Sequence, residues 1–125
     1  MSADIASPVT IRMHRKSRVL EVGWEDGTNF KFPAEYLRVF SPSAEVQGHG
    51  PGQAVLMIGK EKVNISAIQP VGHYAIKLVF DDKHDSGLFS WSYLHWLGEN
   101  YDENWSTYLE RLDEVGYQRK EVSPE

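Results

Sequence analysis

His84 is the residue best placed to do chemistry, because its imidazole lies in a polar turn with Asp81, Asp82 and Asp85. Imidazole and carboxylate are ligands for zinc or iron, and His49 is a third candidate donor further up the chain. Three carboxylates in one turn are more simply explained by solvation, and one imidazole is a poor cage alone. Other chemistries fail on residue type. The chain has no cysteine, which removes a thiolate zinc site, a self-ligated iron–sulfur cluster and a cysteine nucleophile. Ser41 and Ser43 lack a nucleophile-elbow context, and Gly59-Lys60 is followed by Glu61 rather than the hydroxyl residue of a phosphate loop. Gly48-His49-Gly50-Pro51-Gly52 could cradle an anion, but no helix start follows it, so a plain loop is the better reading. His73 and His95 show no catalytic partner and read as structural.

The elements that must position these residues follow from periodicity. Residues 1–8 read as a flexible tail, residues 9–117 as one domain and residues 118–125 as a flexible polar tail. Alternation in Val9–Met13 and Val19–Val22, then the Asp26-Gly27 turn before Phe30-Lys31-Phe32, predicts an antiparallel meander. Pro33 opens a short helix over Ala34–Arg38, and residues 41–53 form a loop. Val55–Ile58 and Val63–Ile68 predict strands, and Gln69-Pro70-Val71-Gly72 a break. The strand Tyr74–Phe80 sets Tyr74, Ile76, Leu78 and Phe80 on one face. Trp91–Leu97 reads as a helix closed by Gly98. An Asn100/Glu103 capping box then starts a helix presenting Trp105, Tyr108, Leu109, Leu112 and Val115. The class expected is α+β: a small antiparallel or mixed sheet, a short helix after the first meander, and two C-terminal helices packed on the sheet.

Charge narrows the partners. The net charge is −5, and residues 99–125 hold eight acidic against three basic residues. An acidic chain lacks the drive to bind nucleic acid, and the Arg12, Arg15, Lys16, Arg18 cluster reads as a solvated hairpin tip. No apolar run reaches membrane-spanning length, and Met1–Ile5 has no signal-like pattern, so cytoplasmic residence is the expectation. Trp91, Tyr93 and Trp96 cannot share one helical face. At least one should therefore reach the surface beside the acidic helix, the composition of a protein-docking surface.

Four ordered patterns carry a resemblance: Trp24-x-Asp26-Gly27, Tyr36-Leu37-Arg38, Val71-Gly72-x-Tyr74-Ala75-Ile76, and Phe80-Asp81-Asp82-x-His84-x-x-Gly87-Leu88-Phe89-Ser90-Trp91. Together they resemble the N-terminal domain of gamma-butyrobetaine hydroxylase and trimethyllysine hydroxylase, and its small stand-alone bacterial relatives. In metal-binding members the segment after Leu-Arg supplies three cysteines, which hold zinc with a downstream histidine. The resemblance puts Ser41, Ser43 and Val46 at the cysteine positions and His84 at the histidine. It implies a scaffold without its thiolate site, leaving His84 and Asp82 as the remnant at which zinc or iron would bind. The hydroxylases' catalytic iron belongs to a separate domain and does not carry over, so no enzyme activity and no cofactor are expected. Some relatives are fused to proteins that carry iron–sulfur clusters. The reading is an accessory or protein-interaction domain serving iron–sulfur or metabolic enzymes through an unidentified protein partner, with Arg38, Trp91 and Trp96 as candidate binding residues. The alternative is a zinc- or iron-binding protein or enzyme built on His84 and neighbouring carboxylates.

Overall fold

The computed structural model describes residues 6–43, 46 and 55–120. The elements named among these residues are, in order, β1 (Thr10–His14), β2 (Val19–Gly23), β3 (Asn29–Pro33), α1 (Ala34–Val39), β4 (Ile65–Val71), β5 (Ala75–Phe80), β6 (Leu88–Ser90), α2 (Trp91–Glu99) and α3 (Tyr101–Glu114). The expected α+β class holds. The strands divide into two antiparallel three-stranded sheets, β1-β2-β3 and β4-β5-β6.

The first sheet is the predicted meander. Leu20 pairs with Phe32 and Val22 with Phe30, while Gly27, at φ +93°, supplies the left-handed step of the β2–β3 turn. Leu20, Val22 and Phe32 are buried, and their alternation selects the inward face. In the second sheet Ile76, Leu78 and Phe80 point inward as predicted, each at most 3% exposed. Tyr74 does not: it precedes β5 and is 59% exposed. The sheets meet at the β1–β2 turn, where Arg15 Nη2 donates to Ser66 O (2.9 Å) and Asn64 Nδ2 donates to Arg15 O (3.0 Å).

Beyond shifts of one or two residues at element ends, three assignments differ from the sequence expectation. β4 runs through Gln69-Pro70-Val71, because β4 is an edge strand on which a proline's missing N–H costs no ladder bond. Val55–Ile58 is irregular rather than a strand. Helix α2 passes through Gly98 to Glu99 because the glycine serves packing, not capping: a β-carbon there would lie 2.3 Å from the Phe30 ring. The predicted capping box is also absent. Asn100 lies between two helices that follow without a break, and its side chain donates back to Trp96 O instead of capping α3. The cap that does form is Ser90, whose hydroxyl accepts from Tyr93 N at the start of α2 (3.1 Å).

Helix α1 is buried at all six residues, two of them charged. It lies in the main core with Leu20, Phe32, Leu78, Phe89, Leu94 and Leu97. Each such fully buried side chain contributes on the order of 2 kcal/mol. The hydroxyl of Tyr36 donates to Leu97 O (2.7 Å) and accepts from Asn104 Nδ2 (3.1 Å), tying α1 to α2 and α3. Burial pushes the phenol pKa up to about 12, so this hydroxyl stays a donor across the physiological range.

Helix α3 buries Tyr108 and Leu112 against Val39, while Leu109 and Val115, expected on the same face, are exposed. Beyond α3, Arg119 forms a two-point ion pair with Glu35 and sits 5.2 Å from the Trp105 ring centroid. Lys120 N and the Tyr117 hydroxyl both donate to Glu61 Oε2. Residues 118–120, read from sequence as the start of a polar tail, thus anchor two buried carboxylates.

Replacing Gly98 by alanine should cost about 1–3 kcal/mol, because the Phe30 ring is packed and cannot retreat freely. Urea unfolding of Gly98→Ala against the parent would measure it, and a change under 0.5 kcal/mol would contradict the packing role.

Candidate functional site

The segment after α1 runs against the turn between β5 and β6, and this seam brings His84, Ser41, Ser43 and Ser86 together. Ser41 is fully buried and His84 is 3% exposed. His84 Nε2 and Ser41 Oγ share a hydrogen bond of 2.9 Å, Ser43 N donates to Ser41 Oγ (3.3 Å), and the Ser43 and Ser86 hydroxyls are 2.6 Å apart. Val46 is also buried. The seam requires close approach: a β-carbon on Gly87 would fall 2.3 Å from Ser41 Oγ. His84 also packs beside Phe80, with ring centroids 5.9 Å apart.

Asp82 faces the other way. Its Oδ2 accepts from Arg38 Nε (2.8 Å) and Lys60 Nζ (2.7 Å), while Oδ1 accepts from His84 N (3.2 Å). Burial raises the carboxyl's pKa, but the hydrogen bonds from Lys60 and Arg38 outweigh it and hold the pKa below the ordinary aspartate value. Asp81 accepts from Asn64 N. Asp82 is thus engaged with two cations and a backbone N–H, and Asp81 with a backbone N–H.

These donors do not fit zinc. A structural zinc site needs four ligands that neutralise the ion, whereas the seam offers one imidazole, neutral hydroxyls and the hydrocarbon of Val46. No three His, Cys, Asp or Glu residues among the described residues cluster with metal-binding geometry. His49 and the glycine-rich run 48–52 lie outside the described residues.

The candidate binding residues are not brought together. Arg38 is buried, and its bond to Asp82 braces α1 against the β5–β6 turn. Trp91 donates its indole N–H to His73 O (2.8 Å). Tyr93 donates its hydroxyl to Phe40 O (2.5 Å). Trp96 is 45% exposed, stacked on Tyr93 at an interplanar angle of 14°. His95 packs edge-on against Trp24 and Phe30, a structural role. Sequence reasoning missed Glu35, Glu61 and Arg119, because charged residues so far apart in the chain show no local pattern. It also missed Lys60 as a partner of Asp82.

A family model described as gamma-butyrobetaine hydroxylase-like, N-terminal, matches residues 11–95. Two solved solution structures resemble the chain at 44% and 45% identity, with TM-scores of 0.80 and 0.82. The alignments cover 94% and 100% of this chain, and 94% and 95% of those proteins. A crystal structure of a protein of unknown function from Acidithiobacillus ferrooxidans, assigned to the DUF971 family, is 39% identical with a TM-score of 0.64. That alignment covers 78% of this chain and 98% of that protein. No curated protein matches. No helix among the described residues is long and apolar enough to cross a membrane.

Asp82→Asn should cost about 3 kcal/mol at neutral pH, since it strands the buried Arg38 guanidinium. A carboxyl with a lowered folded-state pKa stabilises above its unfolded value, and the contribution fades as pH falls through the folded pKa. The difference between parent and variant should therefore shrink as pH drops below the ordinary aspartate value of 3.8. Denaturant unfolding from pH 7 to pH 2 would test this; a difference constant with pH would contradict it.

Proposed function

The chain belongs to the gamma-butyrobetaine hydroxylase-like, N-terminal family, and we propose that it acts as a non-catalytic accessory domain in the cytoplasm, docking a protein partner through its C-terminal helices. The observation that carries this reading is Trp96. Its neighbours Trp91 and Tyr93 are committed to backbone carbonyls, while Trp96 remains nearly half exposed. Large aromatic surface left in water is typical of binding hot spots.

Helix α3 supplies the electrostatic half. Glu103, Glu110 and Glu114 are exposed and fall at helical spacing on the face opposite buried Tyr108 and Leu112. A partner with a basic rim around an apolar pocket is complementary, and an acidic stripe would speed its encounter. An iron–sulfur carrier or a metabolic enzyme bearing such a surface is the partner class proposed. The His84 seam and the Arg38–Asp82–Lys60 cluster act in this reading as the scaffold that holds α2 and α3 in place.

Affinity purification at native expression should recover a stoichiometric partner. Trp96→Ala, and separately Glu103→Lys with Glu110→Lys, should each reduce recovery by about tenfold or more, about 1.4 kcal/mol of binding, while leaving the melting temperature within a few degrees. Failure to recover a partner under gentle conditions would overturn the reading, as would recovery indifferent to both changes.

A further inference from the structure

A cavity of about 320 Å³ opens between the end of α1, the segment around Leu56 and Met57, and helices α2 and α3. Its volume stands at the lower end of the range for small-molecule sites. Val39, Phe40, Leu56, Met57 and Trp96 form apolar walls, and one face of α3 runs along the cavity through Asn104, Thr107, Tyr108 and Arg111. Those four recur at i, i+3, i+4 and i+7, so they form a continuous strip about 10 Å long. The strip is graded. Asn104 lies at the inner end, bonded to the buried Tyr36 hydroxyl, and Arg111 lies at the exposed end.

The polar groups divide into two kinds. The hydroxyls of Tyr93 and Tyr108 are used within the protein, on Phe40 O and Met57 O (2.5 and 2.6 Å). The Thr107 hydroxyl and the Arg111 guanidinium, one turn apart, make no hydrogen bond or ion pair among the described residues. Among the described lining residues Arg111 is the one charged side chain, although α3 carries Asp102, Glu103, Glu110, Asp113 and Glu114 elsewhere. An acidic helix thus turns its single arginine, and none of its acids, toward an apolar cavity. That arrangement selects against cations and for an anion with an apolar body.

We infer that this cavity binds a small amphipathic carboxylate, its headgroup held by Arg111 and Thr107 at the mouth and its hydrocarbon lying between Trp96 and Tyr108. Arginine suits this task because its planar fork meets a carboxylate with two parallel hydrogen bonds. The strip's length accommodates an extended chain on the order of eight carbons. The inference does not rest on the docking role proposed above: it shares Trp96 with that surface but turns on Arg111 and Thr107 rather than the glutamate stripe.

Octanoate is a suitable probe, with 1-octanol as its uncharged counterpart, titrated into the full chain and followed by amide and indole NMR shifts. Saturable shifts at Trp96, Thr107 and Arg111 are expected, with octanol binding at least about tenfold more weakly, the scale of one charge-assisted hydrogen bond. Arg111→Gln should weaken octanoate by about the same factor and leave octanol unchanged, and Thr107→Val should give a smaller loss. Both side chains are exposed, so neither change should unfold the protein. Absence of saturable shifts, octanol binding as tightly as octanoate, or octanoate binding indifferent to Arg111→Gln would each overturn the inference. Glu103→Lys with Glu110→Lys should leave octanoate no weaker, which separates this site from the docking surface.

Discussion

Complete burial of α1 is the constraint on which the rest of the structure depends. A six-residue helix that shows no face to water must find partners for the polar groups it carries, and of its buried side-chain polar atoms Arg38 Nη1 is left without one among the described residues. Glu35 is matched by Arg119 from beyond the last helix, Arg38 by Asp82 from the β5–β6 turn, and the Tyr36 hydroxyl by Leu97 O and Asn104. These contacts reach in three directions at once. They fix where Arg119 lies, where the His84 turn sits and how α2 and α3 lie together.

The seam beside α1 gains its meaning from that frame. In metal-binding relatives a thiolate cluster is implied at the positions of Ser41, Ser43 and Val46. Here hydroxyl–imidazole and hydroxyl–hydroxyl bonds join the segment after α1 to the β5–β6 turn, with Gly87 allowing the approach and Val46 filling space. Directional hydrogen bonds inside a low-dielectric seam can hold two chain segments in register, given that their partners are satisfied. They cannot balance a divalent charge. The family scaffold is therefore kept by ordinary packing and hydrogen bonding.

Much of the fold was legible where a pattern is local. Alternation in Leu20-Glu21-Val22 and Ile76–Phe80 identified the inward faces, and Asp26-Gly27 identified its turn. Local rules misled where tertiary packing supplied a stronger reason. Gly98 resembled a cap but is required by the Phe30 ring, and Asn100 resembled an N-cap but bonds backward to Trp96. Pro70 resembled a break but sits on an edge strand. At the site, the resemblance drew attention to His84 and Arg38, yet not to Lys60, Arg119 or the cavity along α3. Those depend on side chains separated by tens of residues, and no spacing rule connects them. That Trp91, Tyr93 and Trp96 cannot share one face did point to surface exposure, and Trp96 is the most exposed of the three.

The central claim is that this seam is a hydrogen-bonded joint and not a metal centre. Thermal unfolding of tag-free protein, with zinc or iron(II) added and after chelation, paired with elemental analysis of the same sample, tests it most directly. A ligand at 100 times its dissociation constant would add about 2.7 kcal/mol, a shift plainly visible in a melt. The account predicts metal below about a tenth of an equivalent and one melting temperature under all three conditions. Stoichiometric metal, with a melting temperature that falls on chelation and returns on adding zinc, would contradict it.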